Sequence, residues 1–152
     1  MGNEESSAGR KVPNTDNYAH KLSLSDPLRE PAIRSAIRAL QLPFGSRGLD
    51  AGCGIGSHTF LLAEAVGLAG HVTGLDLSPE FLANAREITE KSSLSKQVFF
   101  QEGDVNKPPF DDDTFDWVWS VDCVGYPAAE SLSLLKELAR VVKPGGSVAI
   151  LG

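Results

Sequence analysis

Few features of this chain point to export, a membrane or nucleic acid. Two cysteines occur among 152 residues, Cys53 and Cys123, which is too few for a disulfide framework and favours free thiols in a reducing compartment. No run of about eighteen apolar residues is present, so no membrane span is expected. The net charge is −6 and there is no basic stripe, which argues against a nucleic-acid partner. We expect a cytoplasmic protein.

Metal and lipid signals are equally scarce. The histidines, His20, His58 and His71, are scattered without metal-ligand spacing, and we predict no metal site. The opening MGNEES fits the pattern for myristoylation of Gly2, but short patterns match by chance and the two glutamates would repel an anionic membrane. Acylation of Gly2 and the oligomeric state are left open.

The chain does contain a glycine-rich loop after a strand-like segment, LDAGCGIG at residues 49–56. Gly52, Gly54 and Gly56 remove side chains where a ligand must approach the backbone, and the N–H groups that open the next helix then face that ligand. A second strand ends at Asp76, whose carboxylate can accept hydrogen bonds from both hydroxyls of a ribose. This layout predicts a site for an adenosine-containing cofactor.

The spacing of the glycines separates two kinds of cofactor. Dinucleotide-binding loops have the pattern G-x-G-x-x-G, which requires a glycine where this chain has Ser57. The third glycine falls instead at Gly56, after a strand ending in Asp50. This G-x-G-x-G pattern resembles motif I of the class I S-adenosylmethionine (SAM)-dependent methyltransferases, and Asp76 matches that family's acidic residue after its second strand.

Three more segments resemble landmarks of the same family, in the same order. FFQEGDV at 99–105 looks like its third strand ending in Gly-Asp, and FDDDTFDWVWS at 110–120 looks like its approach to strand four. LARVVKPGG at 138–146 is close to its turn before strand five. The resemblance runs from residue 45 to the last residue. Within that family, these motifs most resemble those of the small-molecule methyltransferases of ubiquinone and menaquinone biosynthesis.

The resemblance implies SAM as cofactor, S-adenosylhomocysteine (SAH) as its product, and a small-molecule methyl acceptor. It also implies that Asp104 reads the adenine amino group, with the Val105 backbone beside it. Cys53 lies in the glycine loop, and the alternative to a cofactor-binding role is that its small side chain only packs there. His58 is expected to open a helix, and the alternative is that it contacts the methionine end of SAM. The expected cofactor-binding residues are Asp50, Gly52, Cys53, Gly54, Gly56, His58, Asp76, Leu77, Gly103, Asp104, Val105 and Ser120.

No catalytic residue is assigned from the sequence. Methyl transfer is an in-line displacement, for which orientation and exclusion of water supply much of the rate. Asp122, after the fourth strand, is the candidate for a general base, and the alternative is that it only orients its loop. Trp117 and Trp119 alternate along a buried strand, so we expect both in the core.

The fold class predicted is α/β. Strand-like segments alternate with helical segments, which indicates a parallel sheet covered on both faces. We expect a Rossmann-like doubly wound sheet of about five parallel strands in three α/β/α layers. The predicted strands are residues 47–50, 71–76, 97–101, 115–120 and 147–151, and the predicted helices are 58–66, a segment beginning at Ser78-Pro79, and 128–142.

Three regions are expected along the chain. Residues 1–14 are predicted to be a disordered tail, residues 15–44 a helical flank or lid, and residues 45–152 the SAM-binding domain. Pro27 and Pro31 each suit the first turn of a helix. The chain stops directly after strand five, so we expect a sheet truncated there and a piece of a longer methyltransferase, poor in turnover by itself.

Two other functions stay open at this point. A non-catalytic SAM-binding module would keep every landmark described above. A nicotinamide-dependent oxidoreductase would share the strand, loop and helix, but Ser57 and the Gly103-Asp104 pair argue against it.

Overall fold

A computed structural model describes residues 15–121 and 128–151 of the chain. They form one five-stranded sheet in the order β3-β2-β1-β4-β5, in which every pairing is parallel. The predicted Rossmann-like α/β class is confirmed, whereas the prediction for residues 1–14 lies outside the described residues. The strands are β1 (Arg47–Ala51), β2 (His71–Asp76), β3 (Val98–Glu102), β4 (Phe115–Val121) and β5 (Val142–Leu151), and the helices are α1 (Thr15–Leu40), α2 (Ser57–Val66), α3 (Pro79–Glu90) and α4 (Ala128–Arg140).

Two hydrophobic cores lie on opposite faces of the sheet, as a doubly wound fold requires. Because side chains alternate along a strand, one strand can contribute to both cores, as β2 does with Val72 on one face and Leu75 on the other. On one face, α1 and α2 pack against the sheet through Ile33, Ile37, Leu62, Ala63, Val66, Val72, Val98, Trp117 and Trp119. On the other face, α4 covers the sheet, and the core contains Leu49, Ala51, Leu75, Phe115, Val118, Leu134, Leu138, Val141 and Val142.

The local signals for helix ends are borne out around β2. Helix α2 ends at Gly67, whose φ of 78° lies in the left-handed region that glycine favours. Helix α3 begins after Ser78, whose hydroxyl accepts a hydrogen bond from the Phe81 N–H at 3.1 Å, with Pro79 in the first position. These caps hold β2 between two helices of defined length.

Helix α1 differs from the expectation at its prolines. It is a single helix of 26 residues that runs through Pro27 and Pro31 instead of starting at them. An interior proline costs a backbone hydrogen bond, so such a helix depends on tertiary contacts. Ile33 and Ile37 provide them, because both are buried against the face that α2 also covers.

Strand β5 also begins earlier than predicted, and α4 ends earlier. Phe115 pairs with Val142, and the next pair is Trp117 with Ser147, so residues 143–146 stand opposite Asp116 alone. The predicted turn at these residues is therefore a bulge inside β5. The bulge is held from the other strand, because the Lys143 ammonium lies 3.4 Å from an Asp116 carboxylate oxygen.

Candidate functional site

The glycine loop, residues 52–56, joins β1 to α2 at the edge of the sheet where the strands have their carboxyl ends. The Leu75 carbonyl near the end of β2 accepts hydrogen bonds from the Gly52 and Cys53 N–H groups, at 2.8 and 3.0 Å. The loop is therefore tied by its backbone to the neighbouring strand. In open α/β sheets this edge is where ligands bind.

Asp76, the last residue of β2, clasps the loop with its carboxylate. One oxygen accepts from the Gly54 N–H at 2.9 Å, and the other accepts from the Ser78 N–H at 3.0 Å. A carboxylate has about four acceptor positions, so these two bonds leave capacity for further donors. Asp76 thus joins the glycine loop to the start of α3 and is held in a fixed orientation between them.

Gly56 allows the loop to pack closely at the start of α2. Its φ is +92°, and a Cβ atom there would lie 3.0 Å from the Phe100 ring and 3.3 Å from the Ala85 Cβ. It is also the N-cap of α2, and no side chain caps that helix. The first-turn N–H groups of an α-helix have no partner within the helix, so they point toward the site.

A turn after β3 adds a second carboxylate to the same edge. The Gly103 N–H donates to the Asp76 carbonyl at 3.0 Å, which holds the turn against the end of β2. Asp104 is exposed, and one of its oxygens accepts from the backbone N–H and side-chain amide of Asn106, at 2.9 and 3.2 Å. The carboxylate is thereby oriented without being buried.

Apolar surface accompanies these two acids. Leu77 directly follows Asp76 and is 63% exposed. Val105 follows Asp104 and is half-buried. A planar apolar group could pack on such side chains while its polar atoms reach the carboxylates.

Three of the residues predicted to bind the cofactor lie below this surface. Asp50 is 2% exposed and accepts a hydrogen bond from the Thr59 hydroxyl at 2.7 Å. Ser120 is 1% exposed and donates to the Ala51 carbonyl at 3.0 Å. The Cys53 side chain is buried too. These side chains support the edge from beneath, so contact with a ligand at Cys53 falls to its backbone.

Burial changes the protonation chemistry of two of them. It raises the pKa of Asp50 from 3.8 to about 7, an effect that the hydrogen bond from Thr59 opposes and the charge of Asp76 reinforces. Burial also raises the pKa of the Cys53 thiol, with added repulsion from Asp50 and Asp76. The thiol stays protonated and is not a nucleophile.

His58, the second residue of α2, meets a partner that the sequence did not reveal. The Trp119 indole N–H donates to the imidazole Nδ1 at 3.4 Å, and the rings meet edge to face with centroids 6.0 Å apart. Trp119 is fully buried, so its predicted place in the core is confirmed. The indole bond favours the imidazole tautomer that carries its proton on Nε2.

The remaining site predictions can now be placed. Asp122, the candidate base, lies outside the described residues. Across residues 15–121 and 128–151, no group of three or more histidine, cysteine or carboxylate side chains could hold a metal ion. No helix in that part of the chain is long and apolar enough to cross a membrane.

Comparison with known proteins agrees with this geometry. The family described as "Methyltransferase domain" matches residues 49–146, which include the glycine loop, Asp76 and Asp104. The chain belongs to this methyltransferase family. Its resemblance to the class I SAM-dependent type is confirmed by relatives and solved structures alike.

Several curated relatives of this methyltransferase domain share one name. The domain is 39% identical over 141 residues to a protein named demethylmenaquinone methyltransferase from Bacillus cereus, covering 90% of this chain and 57% of the relative. A second relative of that name, from Bacillus licheniformis, is covered to 48% of its length. The chain therefore spans about half the length of the curated relatives it matches.

Solved structures show both the likeness and the breadth of the fold. A SAM-dependent methyltransferase from Aquifex aeolicus has a TM-score of 0.72 and 28% identity, covering 87% of this chain and 69% of that one. A protein titled as the [4+2]-cyclase SpnF has a TM-score of 0.70 and 28% identity. The match covers 78% of this chain and 43% of that one. The fold thus accommodates more than one kind of chemistry, and function must be argued from the site.

Proposed function

We propose that this methyltransferase domain binds SAM and orients it for methyl transfer to a small-molecule acceptor. The observation that carries the proposal is the double clasp of Asp76, which joins the glycine loop to the start of α3. It places an ionisable acceptor beside a glycine backbone and an exposed leucine. Ribose hydroxyls, the methionine end of the cofactor and the adenine ring require these three kinds of surface.

Each part of the site has a proposed role toward the cofactor. Asp76 accepts hydrogen bonds from the ribose hydroxyls, and the backbone of the loop and of the first turn of α2 faces the methionine end. Leu77 and Val105 pack on the adenine, whose amino group donates to Asp104. When bound, SAM supplies a methyl group activated by its sulfonium, so the protein's part is orientation and exclusion of water.

Names of the relatives suggest the class of acceptor. Several are demethylmenaquinone methyltransferases, and we extend the proposal to a demethylated quinone or its reduced form as acceptor. The described residues supply the cofactor side of such a reaction. A methyl-transfer assay with labelled SAM and demethylmenaquinone tests this step. SAM binding without any transfer would instead favour the non-catalytic SAM-binding module.

Calorimetric titration with SAM, SAH and NAD is the direct test of the cofactor. We expect SAM and SAH to bind and NAD to bind at least about a hundred-fold more weakly, since the glycine that lets the helix pack closely on the strand in dinucleotide-binding loops is replaced by Ser57. Equal or tighter binding of NAD contradicts the proposal and returns the site to the oxidoreductase class.

A substitution at Asp104 tests the adenine contact. Asp104→Ala removes the acceptor and is expected to weaken SAM binding about ten-fold, because bonds to charged groups contribute about 1.5–3 kcal/mol and this carboxylate is exposed. Asp104→Asn keeps one acceptor oxygen, so its loss should be smaller. Asp111→Ala removes another exposed acid of the segment between β3 and β4, but one close to the start of β4, and serves as the control. Equal losses for Asp111→Ala and Asp104→Ala would refute a specific adenine contact.

A further inference from the structure

Within the described part of the chain, helices leave one face of the sheet uncovered at β3 and at the first half of β2. Helices α2 and α3 pack on both strands from one side, whereas α4, on the other side, packs on β5. Buried parallel strands are normally rich in aliphatic residues. The side chains on the uncovered face are instead aromatic or polar, namely His71, Thr73, Phe99 and Gln101. This composition fits a surface that meets water or a ligand.

The uncovered face forms a groove with a volume of about 500 Å³. Thr73 lies on its middle strand, in register with Phe99 of β3, which is 49% exposed. The Phe99 ring stacks on His71 with centroids 5.9 Å apart, and Phe110, also in the groove, packs edge to face on Phe115 at 5.0 Å. A groove of this volume, lined by rings that neighbours hold in place, suits a small molecule.

Arg47 brings a positive charge to the groove. It lies beside His71 in the register, and its guanidinium carbon is 5.4 Å from the centroid of the Phe115 ring. Among the described residues, the Arg47 side chain makes no hydrogen bond and no ion pair, because the Asp116 carboxylate accepts from the Arg47 backbone N–H and pairs with Lys143. The described residues that line the groove include no carboxylate, although the chain has a net charge of −6.

The edge of β3 beside the groove is closed to a further strand. The odd-numbered residues of β3 bond to β2, so the even-numbered ones direct their backbone groups outward. The outward Phe100 carbonyl accepts from the Arg86 guanidinium at 3.0 Å, and the Glu102 carbonyl accepts from the Gln101 amide at 2.8 Å. Side chains that cover an edge keep other chains from pairing with it. A small molecule therefore fits this face better than a polypeptide.

We propose that the groove binds a planar aromatic carboxylate, whose carboxylate pairs with Arg47 and whose ring packs on Phe99 and Phe110. A guanidinium presents its N–H groups in a fork that matches a carboxylate. One guanidinium balances one carboxylate, whereas a phosphate would bring more negative charge than Arg47 supplies. Aromatic rings favour stacked or edge-to-face contacts with phenyl side chains. The groove is separate from the edge proposed for SAM, so this inference does not depend on the proposed function.

Titration with three probes tests the ligand class, with backbone amide chemical shifts as the readout. We expect indole-3-carboxylate to bind with a dissociation constant of about 1 mM or below. Indole lacks the charge and cyclohexanecarboxylate lacks the aromatic ring, so each should bind about three-fold to ten-fold more weakly. The amide signals of Thr73 and Gln101 should shift, and that of Gly54 in the glycine loop should not. Equal affinity for the three probes, or no binding of indole-3-carboxylate at about 10 mM, would overturn the proposal.

Variants assign the binding to the groove. Arg47→Gln should reduce the affinity for indole-3-carboxylate to that for indole and leave the affinity for indole unchanged. Arg47→Lys keeps the charge without the fork and should be intermediate. Phe99→Ala should weaken both indoles. Lys91→Gln removes an exposed cation after α3, on the other face of the sheet, and should change neither affinity. Parent-like binding of the carboxylate by Arg47→Gln would refute the assignment.

Two further measurements ask whether something else occupies the groove. Saturating SAH should leave the affinity for indole-3-carboxylate within about two-fold, and displacement by SAH would place the probe at the cofactor edge. Sedimentation should show no dimer that Arg47→Gln dissociates, since such a dimer would place a second copy on this face. Either contrary result overturns the proposal. If SAM and SAH do not bind but the probe behaves as expected, the proposed function fails and the groove assignment stands.

Discussion

Asp76→Ala is expected to weaken SAM binding by about ten-fold to a hundred-fold, because bonds to a charged acceptor contribute about 1.5–3 kcal/mol. The ribose hydroxyls lose their acceptor. The Gly54 and Ser78 N–H groups lose theirs as well, and these bonds hold the glycine loop to the start of α3. The loss should therefore exceed that for Asp104→Ala, because the protein hydrogen bonds of the Asp104 carboxylate lie within its own turn and do not hold the glycine loop. Calorimetry with SAM on the folded variant measures it.

Glu102→Ala is the matched control for this substitution. Glu102 pairs with Asp76 across β2 and β3, carries the same charge and is exposed. Its removal changes the local potential without breaking the clasp, so SAM affinity should stay within about two-fold of the parent. Asp76→Asn retains one acceptor oxygen and should fall between the two. An unchanged dissociation constant for folded Asp76→Ala would exclude the ribose role.

Local patterns in the sequence were sufficient for most of the fold. The glycine loop, the Ser78 cap and the Gly67 stop are signals within a few residues of one another, and each has a local physical cause. The bulge at residues 143–146 was missed because it depends on pairing with Asp116 of another strand. The passage of α1 through Pro27 was missed for the same reason, since tertiary packing outweighs the local cost of proline.

The sequence was sufficient to name the residues around the site, but not to say how deeply each side chain is buried. Asp50 and Asp76 are both acids near strand ends, and the sequence gives no register between β1 and β2. That register places Asp50 level with Gly74, under the loop, and leaves Asp76 at the rim. Ser120 is another buried residue near a strand end, and its hydroxyl donates to the Ala51 carbonyl of the neighbouring strand. A difference of two residues in strand level thus separates a supporting side chain from one that can touch a ligand.

Gly48→Ala is expected to be the most destabilising single substitution proposed here. Gly48 pairs with Trp117 across β1 and β4, and a Cβ atom at Gly48 would lie 2.1 Å from the indole ring. The indole has little room to move, because it is 2% exposed and its N–H donates to the Ser46 hydroxyl at 2.9 Å. Overpacking typically costs about 1–3 kcal/mol, and an approach this close in a buried site should cost about 3 kcal/mol, at the upper end of that range. For a chain of this size the melting temperature should fall by about 6–12 °C.

Gly145→Ala separates this steric effect from the general cost of replacing a glycine. Gly145 has a φ of +86°, but nothing lies within 4 Å of a Cβ built there. Its replacement should therefore cost only about 1 kcal/mol, from the backbone conformation alone. Trp117→Leu on the Gly48→Ala background makes room for the new methyl group, so the double variant should lose less stability than the sum of the two single losses. Additive losses, or a melting temperature for Gly48→Ala equal to that of the parent, would contradict the close packing of the indole on β1.

That packing also aligns the strand that leads into the glycine loop, so the Gly48→Ala variant should bind SAM more weakly even at temperatures where it is folded.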